Sequence, residues 1–134
     1  MTVQTAMAEL SRGIYLSLSS DPTLSAMVTG IFNSVEEDLV FPYVTFSEPI
    51  STEFSTKVKF GEELSIVVSA WSIYSGNLEA INILNQCLKA LAKRMTFTGF
   101  TIRKVKIDSI RVFDDADPRI RHGVVRIVYT IQNN

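Results

Sequence analysis

The side chains that could support catalysis are few, and their spacing argues against an active site. A serine or cysteine nucleophile needs a general base, and His122 is the only histidine in the chain. It falls in a predicted strand beside Arg121 with no acidic partner placed next to it, so we interpret it as an ordinary strand or interface residue. Cys87 falls within a predicted helix beside apolar residues, which is typical of a small buried side chain. We therefore predict no catalytic residue and no enzymatic activity.

Three neighbouring aspartates, Asp114, Asp115 and Asp117, are the candidate ligands for Ca²⁺ or Mg²⁺. A calcium-binding loop also needs a central glycine and a distal glutamate, and this segment has neither. The six glycines are scattered singly along the chain, so the sequence also lacks a glycine-rich phosphate loop. We expect no metal and no cofactor, and we interpret the aspartates as a solvated turn.

Charge is unevenly distributed along the chain, although the net charge is only −1. Residues 1–92 carry four basic and ten acidic side chains, a net of −6, whereas residues 93–134 carry nine basic and four acidic, a net of +5. An anionic partner, two oppositely charged faces that attract in a head-to-tail assembly, and simple mixing of charges on one surface are all open interpretations. The basic side chains in question include Arg103, Lys104, Lys106, Arg111, Arg119, Arg121 and Arg126.

Length and composition indicate one globular domain over residues 1–134. The chain has 134 residues, with 46% hydrophobic and 20% charged side chains, which is far from the composition of disordered chains. No run approaches the roughly 18 apolar residues of a membrane span, and the N-terminus does not resemble a signal peptide. With a single cysteine, the chain has no partner for an internal disulfide, so we expect synthesis in a reducing cytoplasm.

The pattern of apolar residues predicts two main helices and several strands. Spacings of three and four predict an amphipathic helix from Val3 to Leu18, followed by a helical turn over residues 23–28. A second long helix begins after Ser75-Gly76-Asn77 and ends with Lys93 and Arg94 in its last turn, as the helix dipole favours. Its predicted apolar face consists of Leu78, Ile81, Leu84, Leu88, Leu91 and Met95.

Strands are predicted by alternation and by β-branched and aromatic residues. We expect strands over residues 31–32, 42–46, 62–73, 100–112 and 122–131, and an acidic solvated loop at Glu36-Glu37-Asp38. The third of these strands is apolar on both faces and should be covered on both sides. The fourth changes phase between Ile102 and Val105, which predicts a β-bulge, and an aspartate-rich connection joins it to the last strand as a hairpin. The predicted fold is an α+β two-layer domain, with a mainly antiparallel β-sheet packed against two main helices.

The segment from Ser51 to Phe60 differs from its surroundings because it is rich in hydroxyl groups and lacks a clear apolar face. We predict a long, flexible loop or hairpin arm there. Its candidate partner-binding residues are Thr52, Glu53, Ser55, Thr56, Lys57 and Lys59.

Several short motifs, taken in order, resemble the tail-completion family of long-tailed phages. They are an N-terminal helix ahead of Pro22-Thr23-Leu24, the run Phe41-Pro42-Tyr43-Val44, a strand with Trp71 that leads directly into a helix, and Asp117-Pro118-Arg119-Ile120-Arg121-His122-Gly123-Val124. More narrowly, the chain resembles tail-to-head joining proteins of siphophages that infect Gram-positive hosts. The similarity covers nearly the whole length in element order and departs from the common pattern at residues 51–60.

The resemblance implies a structural protein of the virion that acts by assembly without catalysis. It implies a monomer in solution and a homohexameric ring at the head-proximal end of the tail, in the position of a tail terminator. Its partners would be the tail tube protein and the head completion, or stopper, protein of the connector, with DNA passing through the lumen and no membrane contact. A second docking loop would run from Asp114 to Arg121 and contain Asp114, Asp115, Asp117, Arg119 and Arg121. Arg119, Arg121 and His122 would lie at a contact between subunits, with support of the loop as their alternative role.

Two other classes of function stay open at this point. A small cytoplasmic DNA-binding accessory protein would use the basic C-terminal residues, although an isoelectric point of about 5.8 is low for a dedicated nucleic-acid domain. An enzyme or small-molecule binding domain would need a site that local motifs do not reveal.

Overall fold

The computed structural model describes residues 3–33 and 38–134, which form three helices and a six-stranded sheet. Glu36 and Glu37 of the predicted acidic loop lie outside the described residues, and Asp38 is exposed. The elements in chain order are α1 Met7–Ser19, α2 Pro22–Met27, β1 Ile31–Phe32, β2 Tyr43–Phe46, β3 Ile50–Glu53, β4 Gly61–Ser72, α3 Leu78–Leu91, β5 Phe100–Asp114 and β6 Arg121–Asn133.

The sheet is mainly antiparallel, and the predicted α+β class is confirmed. Its main path runs β1-β2-β4-β6-β5, and the β1–β2 pair is parallel. Strand β3 pairs with the first half of β4, on the same side of β4 as β2, whose partner is the second half. One edge of the sheet is therefore β5, and the other is formed by β1 and β3.

The core lies between one face of the sheet and the two long helices. Alternate residues of β4 and β6 point to this side and are almost completely buried, as the two-residue period of a strand requires. From α1, the residues spaced at three and four positions fill the same core. The buried side chains include Leu64, Ile66, Val68, Val125, Ile127 and Ile131 of the sheet and Leu10, Ile14 and Leu18 of α1.

Local hydrogen bonds explain where the short helix begins. The Asp21 carboxylate accepts hydrogen bonds from the backbone N–H groups of Thr23 and Leu24, both at 3.0 Å, and Pro22 occupies the first helical position. The Gln86 side-chain amide of α3 also donates to Asp21 at 3.2 Å. These hydrogen bonds hold the pKa of the Asp21 carboxyl below its ordinary value and tie α2 to α3.

The structure corrects the predicted helix limits and confirms the predicted bulge. Helix α1 begins at Met7, four residues after the expected start at Val3, and α3 ends at Leu91, just before Lys93 and Arg94. The register of β5 against β6 shifts between Ile102 and Lys104, where the change of phase predicted a bulge, and shifts again between Ile107 and Ser109.

The prediction that β4 is covered on both faces is wrong. Both long helices pack on one face, while Ser65, Val67 and Trp71 on the other face remain partly exposed. The apolar face predicted for α3 is also rotated from the observed one, since Leu78 is 65% and Ile81 41% exposed. The buried residues of α3 are Ala80, Ile83, Leu84, Cys87, Ala90 and Leu91.

Candidate docking surfaces

The polar segment predicted as a loop or arm is largely a β-hairpin. Ser51, Thr52 and Glu53 lie on β3, with Thr52 opposite Glu63 and Glu53 opposite Glu62 of β4. Residues 54–60 form the turn that joins the two strands. Two hydrogen bonds organise this turn, one from the Phe54 N–H to the Gly61 carbonyl at 2.7 Å and one from the Thr56 N–H to the Lys59 carbonyl at 2.9 Å. Ser55, Thr56, Lys57 and Lys59 are all exposed there.

The arm also presents apolar side chains to solvent, which the sequence analysis missed. Ile50 is 66%, Phe54 60% and Val58 75% exposed. These apolar residues stand singly among polar and hydroxyl-bearing residues, so they form no periodic apolar pattern that would indicate them in the sequence. Exposed apolar groups beside polar ones are a common feature of protein-binding surfaces.

A buried carboxylate anchors the base of the arm. Glu62 of β4 is only 1% exposed, and its side chain accepts hydrogen bonds from Thr5 Oγ1 at 3.0 Å and the Ala6 backbone N–H at 2.7 Å. The Ser51 hydroxyl of β3 donates to the same carboxylate. This residue therefore connects the arm to the start of α1.

The predicted second docking loop is the turn between β5 and β6, and ion pairs hold it in shape. Asp117 and Arg119 form an exposed ion pair with a 2.7 Å contact, and the Arg119 backbone N–H also donates to Asp117. Hydrogen bonds from Arg119 lower the pKa of the Asp117 carboxyl to about 2. Asp114 and Arg121 are cross-strand neighbours with a 3.0 Å ion pair, and Arg121 also donates to the Pro118 carbonyl at 2.6 Å.

The remaining predicted residues of this loop differ in how far they are engaged. Asp115 is only partly exposed, and its N–H donates to the Ile120 carbonyl at 3.0 Å. Arg119 and Arg121 form ion pairs and hydrogen bonds within the loop, so their main observed role is to support its shape. His122 lies at the base of the loop on β6 and is half-buried.

His122 belongs to a row of aromatic rings across the open face of the sheet. Its ring stacks on Trp71 with a 3.6 Å separation of centroids, and Phe113 lies on its other side at 4.9 Å. Trp71 in turn stacks on Tyr43 at 6.1 Å, so the row spans β5, β6, β4 and β2. Burial lowers the pKa of His122, and the nearby Asp115 carboxylate partly opposes that shift. The sequence analysis placed Tyr43, Trp71 and His122 on strands and left Phe113 just past the predicted end of its strand, and it could not show that the four rings are neighbours.

The two predicted docking regions lie at opposite ends of the sheet. The arm joins the first residues of β4, whereas the β5–β6 turn lies beside its last residues, where Ser72 pairs with Arg121. At about 3.3 Å per residue, the length of β4 separates the two regions by roughly 30 Å. The structure therefore brings together the residues within each region but keeps the two regions apart.

The described residues offer no clear chemistry. In residues 3–33 and 38–134, no group of three or more His, Cys, Asp or Glu side chains could hold a metal ion. Cys87 is buried, and burial raises the pKa of its thiol to about 12, which disfavours the reactive thiolate. Within the same residues, no helix is long and apolar enough to cross a membrane.

Comparison with known proteins gives a consistent result along nearly the whole chain. The family model described as Tail completion protein gp17 matches residues 12–132. The curated Tail completion protein gp17 of Bacillus phage SPP1 is 33% identical over 135 residues, which cover 100% of both chains.

Two solved structures share this fold. The structure of bacteriophage SPP1 gp17 protein matches with a TM-score of 0.68 and 29% identity, over 95% of this chain and 91% of that one. A chain from the virion of a native gene transfer agent particle matches with a TM-score of 0.83 over 97% of this chain and 100% of that one. At 18% identity, the second match shows a common fold alone.

Proposed function

This chain belongs to the Tail completion protein gp17 family, and we propose that it forms a ring at the head-proximal end of the phage tail tube and joins the tail to the DNA-filled head. Membership of this family makes it a structural component of the virion tail. The proposal adds a position within the tail, a ring and a joining role to that assignment.

The observation that carries the joining role is the separation of the two polar docking regions. A protein that links two assemblies needs two contact surfaces that both partners can reach at once. The arm and the β5–β6 turn lie at opposite ends of β4, so one partner at each end would not obstruct the other. Rings are built by repeating a head-to-tail contact between copies, which leaves the two ends of each subunit free to face different neighbours.

The arm is the better candidate for ordering against a partner. Phe54 and Val58 expose apolar area, while Lys57 and Lys59 are fully available at the turn. Burial of such apolar groups on docking would contribute to binding, and the polar side chains around them would set specificity. The β5–β6 turn would act as a more rigid contact, because two ion pairs already hold its backbone.

Assembly in this proposal involves no bond making or breaking. The protein is a monomer in solution and a hexamer in the virion, and its neighbours are the tail tube protein on one side and the stopper protein of the head connector on the other. DNA passes through the lumen without specific binding, and the protein is made in the host cytoplasm.

The proposal is tested by adding purified protein to tails and to DNA-filled heads from a phage that lacks it, followed by electron microscopy and infectivity assays. We expect a ring at the tail end and recovery of infectious particles. The Lys57→Glu/Lys59→Glu variant should keep its fold, measured by circular dichroism, and fail to join heads to tails. Lys89→Glu, a charge reversal at an exposed site on α3, serves as the control.

Three outcomes would count against the proposal. Absence of attachment by well-folded protein would remove the joining role. A normal yield of infectious particles with the Lys57→Glu/Lys59→Glu variant would show that the two lysines of the arm are not needed for joining heads to tails. Tight binding to free DNA that weakens steeply with salt would instead favour a DNA-binding accessory protein.

A further inference from the structure

Strand β5 extends beyond the part of the sheet that the helices cover. Residues 103–111 are all exposed, although they form an unbroken stretch of a 15-residue strand. Among residues 3–33 and 38–134, this strand pairs only with β6, so its other side is a free edge in the described part of the chain. A stretch of strand that is exposed on both faces and along one edge contributes little to the hydrophobic core of the domain. This exposure indicates that the stretch serves a purpose other than core packing.

The helix-side face of this stretch carries an uncovered apolar row. Val105, Ile107 and Ile110 pair with Tyr129, Ile127 and Val125 of β6, all three of which are buried beneath the helices. The β5 residues on the same face are 52%, 43% and 54% exposed, because the helices cover β6 and the ends of β5, where Phe100 joins the core, but not this middle stretch. The opposite face of β5 carries the cations Lys104, Lys106 and Arg111.

The other edge of the sheet has the opposite charge. Glu48, in the connection before β3, and Glu53, at the end of β3, are both exposed. Ile50 and Phe54 on the same edge expose apolar surface. Lys57 and Lys59 lie beyond this edge, in the turn of the arm. The two edges of one sheet are thus opposite in charge, and each has exposed apolar side chains. On β5 the apolar row lies on the helix side and the cations on the open face, whereas on β3 Ile50 lies on the open face, opposite Ser65, and Glu53 on the helix side, opposite Glu62.

We propose that the β5 edge of one copy docks against the β3 edge of the next copy, and that this contact closes the ring. The inference rests on the proposed ring and names the surface that forms it. Because the two edges of a subunit differ, the contact is heterologous, and repeating it generates a ring, and not a two-fold dimer, where the rotation between copies closes. The opposite charges fix which edge meets which and oppose contact between two like edges.

Side chains make this contact, and continuous backbone pairing does not. The two bulges in β5 interrupt its free edge, and lysines flank that edge, features which disfavour strand addition. The Val105, Ile107 and Ile110 row supplies the apolar part of the contact, and Lys104 and Lys106 pair with Glu48 and Glu53 of the neighbour. Asp108 is already paired with Arg126 within the same copy at 3.6 Å.

Charge reversal at each edge tests the contact directly. The Lys104→Glu/Lys106→Glu variant and the Glu48→Lys/Glu53→Lys variant should each assemble at least about tenfold less well than wild type, because each places like charges together. A protein with all four changes should recover to near the wild-type level. The matched control is Arg12→Glu/Lys89→Glu, which makes the same change in charge as the first variant at exposed sites on α1 and α3.

Assembly is measured in two ways, by sedimentation velocity at increasing protein concentration and by the amount of protein retained on tails that lack it. If wild type forms rings and the single-edge variants form them equally well, the contact is wrong while the proposed function stands. If the four-change protein does not recover, the two edges do not meet. If wild type assembles by neither measure, the ring itself is wrong. Variants that assemble normally but lose binding to DNA would instead make the basic face a wall that contacts nucleic acid.

Discussion

The side-chain carboxylate of Glu62, the second residue of β4, accepts a 2.7 Å hydrogen bond from the backbone N–H of Ala6, the residue that precedes α1. No side-chain hydrogen bond from within α1 caps its N-terminus, and Glu62 of the sheet supplies an acceptor there in addition to the acidic Glu9 of the first turn. The same carboxylate accepts hydrogen bonds from the hydroxyl groups of Thr5 and Ser51. One buried acid thus fixes the position of the first helix relative to the arm.

Replacement of Glu62 by alanine should lower the free energy of unfolding by about 1–3 kcal/mol, because it leaves buried hydrogen-bond donors without an acceptor. Urea denaturation followed by circular dichroism measures this change. The neighbouring Glu63→Ala, on the partly exposed face of the same strand, should have a much smaller effect. Equal losses from the two substitutions would contradict the role assigned to the buried carboxylate.

The Cys87 thiol should be almost unreactive in the folded protein. Burial raises its pKa to about 12, so at pH 8 its thiolate population is about a thousandfold lower than that of a thiol with the ordinary pKa near 8.5. Reaction with a chromogenic disulfide reagent should therefore be slow in buffer and fast in denaturing urea. Rapid reaction of the folded protein would show that this part of α3 opens readily.

Stacking of His122 on Trp71 should make tryptophan fluorescence depend on pH. Trp71 is the only tryptophan, and a protonated imidazole in contact with an indole ring quenches its emission. Burial lowers the pKa of His122, so tryptophan emission should fall as the pH is lowered, with a midpoint below pH 6.5. The His122→Gln substitution should abolish this change. Since Asp115 opposes the shift, Asp115→Asn should move the midpoint lower still.

The same pKa shift predicts the sign of its effect on stability. The unfolded chain binds a proton at His122 at a higher pH than the folded chain does, so acidification through this range favours unfolding. The His122→Gln variant should not show this loss of folding stability on acidification. A midpoint at or above pH 6.5 would contradict the burial of this ring.

The ion pair between Asp117 and Arg119 should be detectable by titration. Hydrogen bonds from Arg119 lower the pKa of Asp117 to about 2, and Arg119→Gln should return it towards its ordinary value near 3.9. Carbon-detected NMR of the carboxyl group measures both values. Because the folded-state pKa is depressed, the pair stabilises the loop above about pH 4 and is lost between about pH 4 and 2. Both side chains are accessible to solvent, so high salt should weaken the effect.

Much of the fold could be predicted from the sequence because its strongest patterns are local. Alternation along β4 and β6, the spacing of apolar residues in α1, and the change of phase after Ile102 all correspond to observed elements. The rotation of α3 could not be predicted, because its exposed Leu78 and Ile81 are as apolar as its buried residues. Only the packed structure shows that the helices cover β4 and β6 and leave residues 103–111 of β5 uncovered.

The docking regions illustrate the same limit. Composition placed polar segments at residues 51–60 and 114–121, since hydroxyl groups and aspartates mark turns without reference to distant residues. Pairing across the sheet decides the rest: which residues of β3 face β4, how Arg121 meets Asp114, and which rings stack on Trp71. These contacts join residues far apart in the chain, and local patterns contain no information about them.

The orientation of the long strands also bears on mechanical strength. If the arm and the β5–β6 turn are held by different partners, a pulling force between them acts along β4 and β6. Twelve residue pairs join these two strands side by side, so such a force shears many hydrogen bonds at once. A force across the strands would break the same bonds one after another, as in opening a zipper. In the proposed joining role, the subunit would therefore resist tension along the direction of β4 and β6.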